Sequence, residues 1–199
     1  MKRIVVGISG ASGAVYGIRL MEVLRSRAET HLIISGLGRE TISLETRYAV
    51  PEVEAMASCV HGFHDLTSPL SSGSFRTEGM VIIPCSIKTL SAVAHSYNDN
   101  LMVRAADVTL KERRKLVLAV RETPLHTGHL KLMLQASEMG AILFPPIPGF
   151  YHNPKTIDDI VNHTIGKILD LFDIEHNLFK RWHGINHELD CLQKTEKRR

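Results

Sequence analysis

The chain has 199 residues, 44% of them hydrophobic and 23% charged, with a formal net charge of +3; that is enough apolar material for one compact core and too even a balance for a nucleic-acid binder or a disordered chain. Aromatic residues make up 6%, which excludes an extended base-stacking platform. Cys59, Cys85 and Cys191 are scattered without a CxxC pair, and none of the 11 histidines has a spacing such as HExxH, so the expectation is no disulfide framework, no metal and a reducing, cytoplasmic setting.

In chain order, "RIVVGIS" (3–9) predicts a buried strand that starts at once, with no apolar leader before it. "AVYGIRLMEVLRSR" (14–27) has helical spacing that turns Ile18, Leu20, Met21 and Leu24 inward. "HLIIS" (31–35), "GMVIIP" (79–84), "KLVLAV" (115–120) and "GAILFP" (140–145) predict four more strands, and helices are expected over 86–96, 125–138 and 156–172. Residues 46–78 are less regular and have room for a further helix and a loop. No apolar run approaches the roughly 18 residues of a membrane span. Continuous apolar strands separated by helices indicate a parallel sheet covered on both faces. The fold class is therefore α/β, a single-domain doubly wound three-layer sandwich, Rossmann-like or flavodoxin-like. The domain is expected over 1–175; 176–199, with "HNLFKRWHGI" and the basic "KTEKRR", reads as an arm that packs on a neighbour and a solvated tail.

Ligands of such folds sit beyond the carboxyl ends of the strands. Here those exits are "GISGASG", "ISGLG", "IIPCSIKT", "AVRETP" and "FPPIPGFYHNP", all rich in Gly, Ser, Pro or charge. "GISGASG" (7–13) is neither a GxGxxG fingerprint nor a P-loop. A glycine turn before a helix N-terminus is an anion site or, more plainly, a tight turn with Ser12 as N-cap. In "PCSIKT" (84–89), Cys85 reads either as a nucleophile or, its commoner role, as a small space-filling residue, while Ser86 and Thr89 suit capping or ligand contact.

Cations crowd "RAADVTLKERRKLVLAVRETP" (104–124). Arg121 and Glu122 stand out because they leave an apolar strand directly, as a phosphate-binding Arg with an acid–base partner or as a structural ion pair. "PPIPGFYHNP" (145–154) is a stiff turn carrying Tyr151, ahead of a helix that bears Lys167.

"GISGASGAVYGIRL", "SSGSFRTEGMVIIPCSIKTLSAVAH", "DNLMVRAADVTLKERRKLVLAVRETPL" and "PPIPGFYHNP" resemble the UbiX-type flavin prenyltransferase family across about residues 3–172. "PCSIKT…DNL" is more distantly similar to the "PASANT…DNL" signature of flavin-binding cysteine decarboxylases. The resemblance implies an enzyme that joins a dimethylallyl group, from dimethylallyl monophosphate, to N5 and C6 of reduced FMN. The product, prenylated FMN, is the cofactor of a partner decarboxylase. It further implies a metal-independent homododecamer with the site at subunit interfaces, and no nucleic-acid or membrane partner.

Residue by residue, the resemblance assigns FMN contacts to Gly10, Ala11, Ser12, Ser35, Ser86, Ile87, Lys88, Thr89 and Arg121, and prenyl-phosphate contacts to Tyr151 and Lys167. Glu45, Arg104, Lys111, Arg121 and Glu122 match the catalytic polar residues. Trp182 matches a C-terminal tryptophan found near the site in some members. Expelling phosphate without a metal calls for the fixed cations and hydroxyl of this set. Glu45, Glu122 or the departing phosphate is left to take the C6 proton.

Two other readings share the flavin motifs. One is an FMN-dependent decarboxylase acting directly on an aromatic acid or a peptidyl cysteine. The cysteine decarboxylases carry a histidine upstream of their signature, where this chain has "SPLSSGSF" (68–75), with His61 and His64 further back. The other is a non-catalytic flavin carrier, in which Lys111, Arg121, Glu122, Tyr151 and Lys167 would be free to differ.

Overall fold

The computed structural model describes residues 1–182 and residue 184. Six strands form one parallel sheet: β1 (Lys2–Ile8), β2 (Ala28–Ile34), β3 (Cys59–His61), β4 (Gly79–Cys85), β5 (Lys115–Val120) and β6 (Ile142–Leu143). Their order is β3-β2-β1-β4-β5-β6, the Rossmann order, with its switch point between β1 and β4. Among the described residues seven α-helices cover it: α1 (Ala14–Leu24), α2 (Gly36–Glu45), α3 (Val50–Glu54), α4 (Ile87–Ala94), α5 (Leu101–Lys111), α6 (Thr127–Glu138) and α7 (Ile157–Leu171).

The apolar runs are continuous because the sheet is buried on both faces. Ile4, Val6 and Ile8 of β1 join Val81 and Ile83 of β4 in a core under α1 and α7. Val5, Met80, Ile82 and Cys85 face the opposite core, under α4 and α5. Ile18, Leu20, Met21 and Leu24 are all buried, as their helical spacing predicts. Among the described residues no helix is long and apolar enough to cross a membrane.

Three elements go beyond the sequence reading. In α2 only Gly38 and Ile42 are buried, too thin a stripe to read as periodic. β3 is a three-residue edge strand paired only with β2. α5 buries eight of its residues, and the Asn100 side chain caps it by accepting the Val103 N–H at 3.1 Å; the surrounding cations hid that apolar face. The last strand is also shorter than its apolar run, since only Ile142 and Leu143 pair with β5.

The stretch read as an arm returns, in its described part, to its own chain. Arg181 forms a fork on Asp170 at 2.6 and 3.0 Å, and His176 Nε2 lies 3.1 Å from the same carboxylate. Phe179 crosses α7 so closely that a Cβ on Gly166 would stand 2.4 Å from its ring. Residue 183 and residues 185–199, with Cys191 and the basic tail, lie outside the described residues.

Candidate functional site

A cleft of about 750 Å³ opens beyond the exits of β1, β2 and β4, at the switch point. Ser9, assigned no role of its own from sequence, stitches two of those exits together. Its hydroxyl donates to the Pro84 carbonyl at 2.9 Å and accepts the Ser86 N–H at 2.8 Å. Gly10 lines the cleft, and a Cβ there would meet Leu37 Cβ at 2.2 Å, so only glycine lets β1 and α2 approach this closely.

Ser35 and Ser86 both line the cleft, and both are helix N-caps. Ser35 Oγ accepts the Gly38 N–H at 3.0 Å, and Ser86 Oγ accepts the Thr89 N–H at 3.2 Å. The first-turn N–H groups of Gly36, Leu37, Ile87 and Lys88 meet no acceptor among the described residues. Two helix N-termini therefore face one cleft, where their free N–H groups and positive dipole ends favour an anion. Lys88 and Thr89 join the same wall. Phe63 and Val103 give it an apolar side, and His64, set aside at first as too far back in sequence, sits beside them. No spacing rule would have found Phe63 and His64, because they follow the short strand β3.

Cys85 is fully buried, and burial pushes its thiol up to about 12. A nucleophile needs the opposite shift, so the space-filling reading of Cys85 holds.

Ser12 is not the cap of α1. The N-cap is Gly13, at φ 104°, and the cap is supplied from a distance by Glu45, whose Oε2 accepts the N–H groups of Gly13 at 2.7 Å and Ala14 at 3.1 Å. Burial works to raise the Glu45 carboxyl, but the Gly13, Ser12 and Ala14 hydrogen bonds and the nearby Arg121 charge outweigh it and hold the group below its ordinary value. Thus the last residue of α2 meets the exits of β1 and β5. Ala11 lies in the same turn, where its N–H donates to the Ser9 carbonyl.

Arg121 and Glu122 are both exposed at the β5 exit. The Arg121 N–H is anchored on the Cys85 carbonyl at 3.0 Å, and Glu122 Oε1 accepts the Thr123 N–H at 3.0 Å. Arg121 is not paired with its neighbour Glu122; the carboxylate that feels its charge is Glu45.

Tyr151 meets a residue of α7 that sequence reasoning missed. The Tyr151 hydroxyl lies 2.7 Å from His163 Nε2, and His163 precedes Lys167 by one turn of α7. Burial, then His152 and Lys167, holds the His163 imidazole below its ordinary value and so toward the neutral form. His152 stacks on His163 at 4.3 Å, and Trp182 meets the Tyr151 ring edge-on at 6.1 Å. The i, i+4 spacing of His163 and Lys167 was a usable signal.

Arg104 and Lys111 stand apart from these groups. Arg104 is held on the Ser71 carbonyl at 3.2 Å and on Asp107 at 3.0 Å. Lys111 ends α5 toward the amino ends of the strands, close to where β5 begins, and pairs with Glu112.

Residues 1–174 match the flavoprotein family model. The flavin prenyltransferase UbiX of Salmonella typhimurium is 58% identical over 188 residues, covering 92% of this chain and 100% of the relative. The chain belongs to the UbiX flavin prenyltransferase family. The crystal structure of AnUbiX (PadA1) in complex with FMN and dimethylallyl pyrophosphate is similar at a TM-score of 0.91 and 47% identity, over 92% of this chain and 98% of that one. The dodecameric FMN-dependent UbiX-like decarboxylase of Escherichia coli O157:H7 is similar at a TM-score of 0.89 and 49% identity, over 92% of this chain and 100% of that one.

Proposed function

We infer that this protein is a flavin prenyltransferase, which transfers a dimethylallyl group from a dimethylallyl phosphate to reduced FMN and passes prenylated FMN to a decarboxylase. The observation that carries the reading is the likeness, over nearly the whole chain, to a UbiX that holds FMN and dimethylallyl pyrophosphate together. The cleft fits FMN. Its volume suits a ligand of that size, its two helix N-termini suit a phosphate, and Phe63 and Val103 suit a flat apolar ring.

Bound reduced FMN supplies the nucleophilic N5 and C6 and an electron-rich face for a developing allyl cation. The protein's residues do the rest. Gly10, Ser35, Ser86, Lys88 and Thr89 hold the flavin, with Ala11, Ser12 and Ile87 shaping the same turns. Tyr151 and Lys167 hold the prenyl phosphate, and Arg121 spans the two groups. Fixed cations and hydroxyls of this kind stabilise the charge of the departing phosphate without reorganising, and holding both partners in register contributes further rate.

Glu45 is a poor base, because it is committed to the α1 N-terminus and its carboxyl is held low. The C6 proton therefore goes to Glu122, whose exposed carboxylate accepts one local N–H, or to the phosphate itself. Glu45 serves to cap α1 near the Arg121 charge.

Arg104 and Lys111 enter such a site from a neighbouring subunit of a cytoplasmic homododecamer. That assembly is supported by the dodecameric relative and by the exposed apolar side chains of Leu44, Leu134, Ile147, Phe150 and Ile157. The domain that carries the reaction is residues 1–175, with 176–199 as an appended arm.

Anaerobic incubation of the purified protein with reduced FMN and dimethylallyl monophosphate or pyrophosphate, followed by mass spectrometry, tests the reading. Five-carbon addition to the flavin is expected with at least one donor. An unmodified flavin with both sinks it.

A further inference from the structure

Three side chains on the β2–β3 edge converge on one point outside the flavin cleft. His31 sits on β2, and Cys59 and His61 are two apart on β3, so they share a face; His31 is in register with Cys59. One ligand atom from each lies within 4.8 Å of the other two. The spacing along the chain gave no hint of this, because the residues come from two strands about 28 positions apart that only sheet pairing brings together.

The outer atoms of both rings are already held. His31 Nε2 donates to Glu29 Oε1 at 3.0 Å, and Glu29 is locked in turn by an Arg3 fork at 2.8 and 3.0 Å. Phe75 packs edge-on against the His31 ring. A carboxylate can only accept, so in the neutral ring this places the His31 proton on Nε2 and leaves Nδ1 as an acceptor that faces the His61 Nε2–H at 2.9 Å. His61 Nδ1 lies 2.8 Å from Ser68 Oγ, and a hydroxyl can either donate or accept there. Carboxylate- and hydroxyl-backed imidazoles with their inner nitrogens turned to a common point are the outer support that metal-binding histidines have.

We propose that His31 Nδ1, His61 Nε2 and Cys59 Sγ form a binding site for a borderline-soft divalent cation of the zinc type. Two imidazoles and a thiolate are the donor set such ions prefer. On a tetrahedral zinc, ligand atoms stand roughly 3.3–3.6 Å apart, given bonds of about 2.0 Å to N and 2.3 Å to S. Reaching that geometry takes a small opening of the two rings and a rotation of the exposed Cys59 side chain. On binding, the Cys59 thiol loses its proton to solvent. His61 moves its ring proton from Nε2 to Nδ1, where Ser68 Oγ accepts it, so the histidine charge is unchanged. The fourth position is open for water on the Cys59 side. The ion would clamp a three-residue edge strand that leads, two residues after His61, into Phe63 on the cleft wall.

Cobalt(II) titration of the full-length, metal-free protein tests this, because thiolate ligation gives a charge-transfer band and a tetrahedral site gives intense d–d bands. One cobalt per chain with both signatures, displaced by zinc, is expected. Zinc should also raise the melting temperature. Cys59→Ser should abolish the charge-transfer band and the zinc-dependent stabilisation while leaving flavin binding intact, and Glu29→Gln should weaken zinc binding by about tenfold. Cys191→Ser should change neither signature. A band that survives Cys59→Ser, a band that vanishes with Cys191→Ser, or no band at all would overturn the proposal.

Discussion

The two halves of the candidate site differ in how completely one chain builds them. The half proposed to hold flavin is framed by neighbouring strand exits of one chain. β1 and β4 bring it together through Ser9, and Ser35 and Ser86 cap the helices that frame it. The phosphate half is dispersed. Tyr151, His163 and Lys167 form one group, Arg121 with Glu45 a second, and Arg104 and Lys111 point elsewhere. The difference teaches that the carboxyl ends of a rigid sheet's central strands can preform a cleft, whereas surface cations on separate helices need something more to converge, which we assign to subunit assembly.

The sharpest way to break that comparison is at Arg121, the residue said to span both halves. Arg121→Ala should lower single-turnover prenyl transfer by roughly 10²–10³-fold, read by mass spectrometry of the flavin. Lys111→Ala should also be severely impaired. If the two groups come from different subunits, co-assembled oligomers of the two variants should recover part of the activity. Recovery no greater than the sum of the separate variants would mean that Lys111 and Arg121 do not come to one site from different subunits.

The next largest effect is expected at Lys167. Lys167→Ala should cost about 2 kcal/mol, roughly thirtyfold, in prenyl-phosphate affinity, with FMN affinity unchanged by fluorescence titration. Loss of FMN instead would merge the two halves. Gly10→Ala should do the reverse. Its new Cβ collides with Leu37, so FMN affinity should fall by about tenfold, the low end of an overpacking cost of about 1–3 kcal/mol.

The smallest effect is a pH dependence. The Glu45 carboxyl lies below its ordinary value of 4.5 in the folded chain, so its contribution to stability is fully present above that value and is lost as pH falls through the lower, folded value. Glu45→Gln should lower the melting temperature near neutrality and flatten the acid side of the profile, so that the two proteins converge at low pH. A parallel shift at all pH values would mean that the carboxylate charge is not what caps α1.

Much of the flavin half was legible because local sequence makes it: an apolar strand, a small-residue turn and a capping serine sit within a few positions of each other in "ISGLG" and "PCSIKT". What was not legible lies in contacts between distant segments. Ser12 looked like a cap by position, yet Glu45, 32 residues on from Gly13, took the role. α5 looked like a charged stretch because its apolar face shows only when folded against the sheet. His64 gained a place in the cleft, and His31, Cys59 and His61 became one cluster, only because β3 docks on β2.

The sequence by itself determined the class of fold and pointed to the strand exits, since hydrophobic period, turn residues and helix caps act over a few neighbours, whereas burial in the folded chain decided Cys85. Only the tertiary structure decided that Glu45 is a cap rather than a free base, that His163 meets Tyr151, and that Arg104 and Lys111 stand away from both. These depend on which strands pair and how helices cross them, and that is set by burying two whole faces of a sheet rather than by any short run of residues.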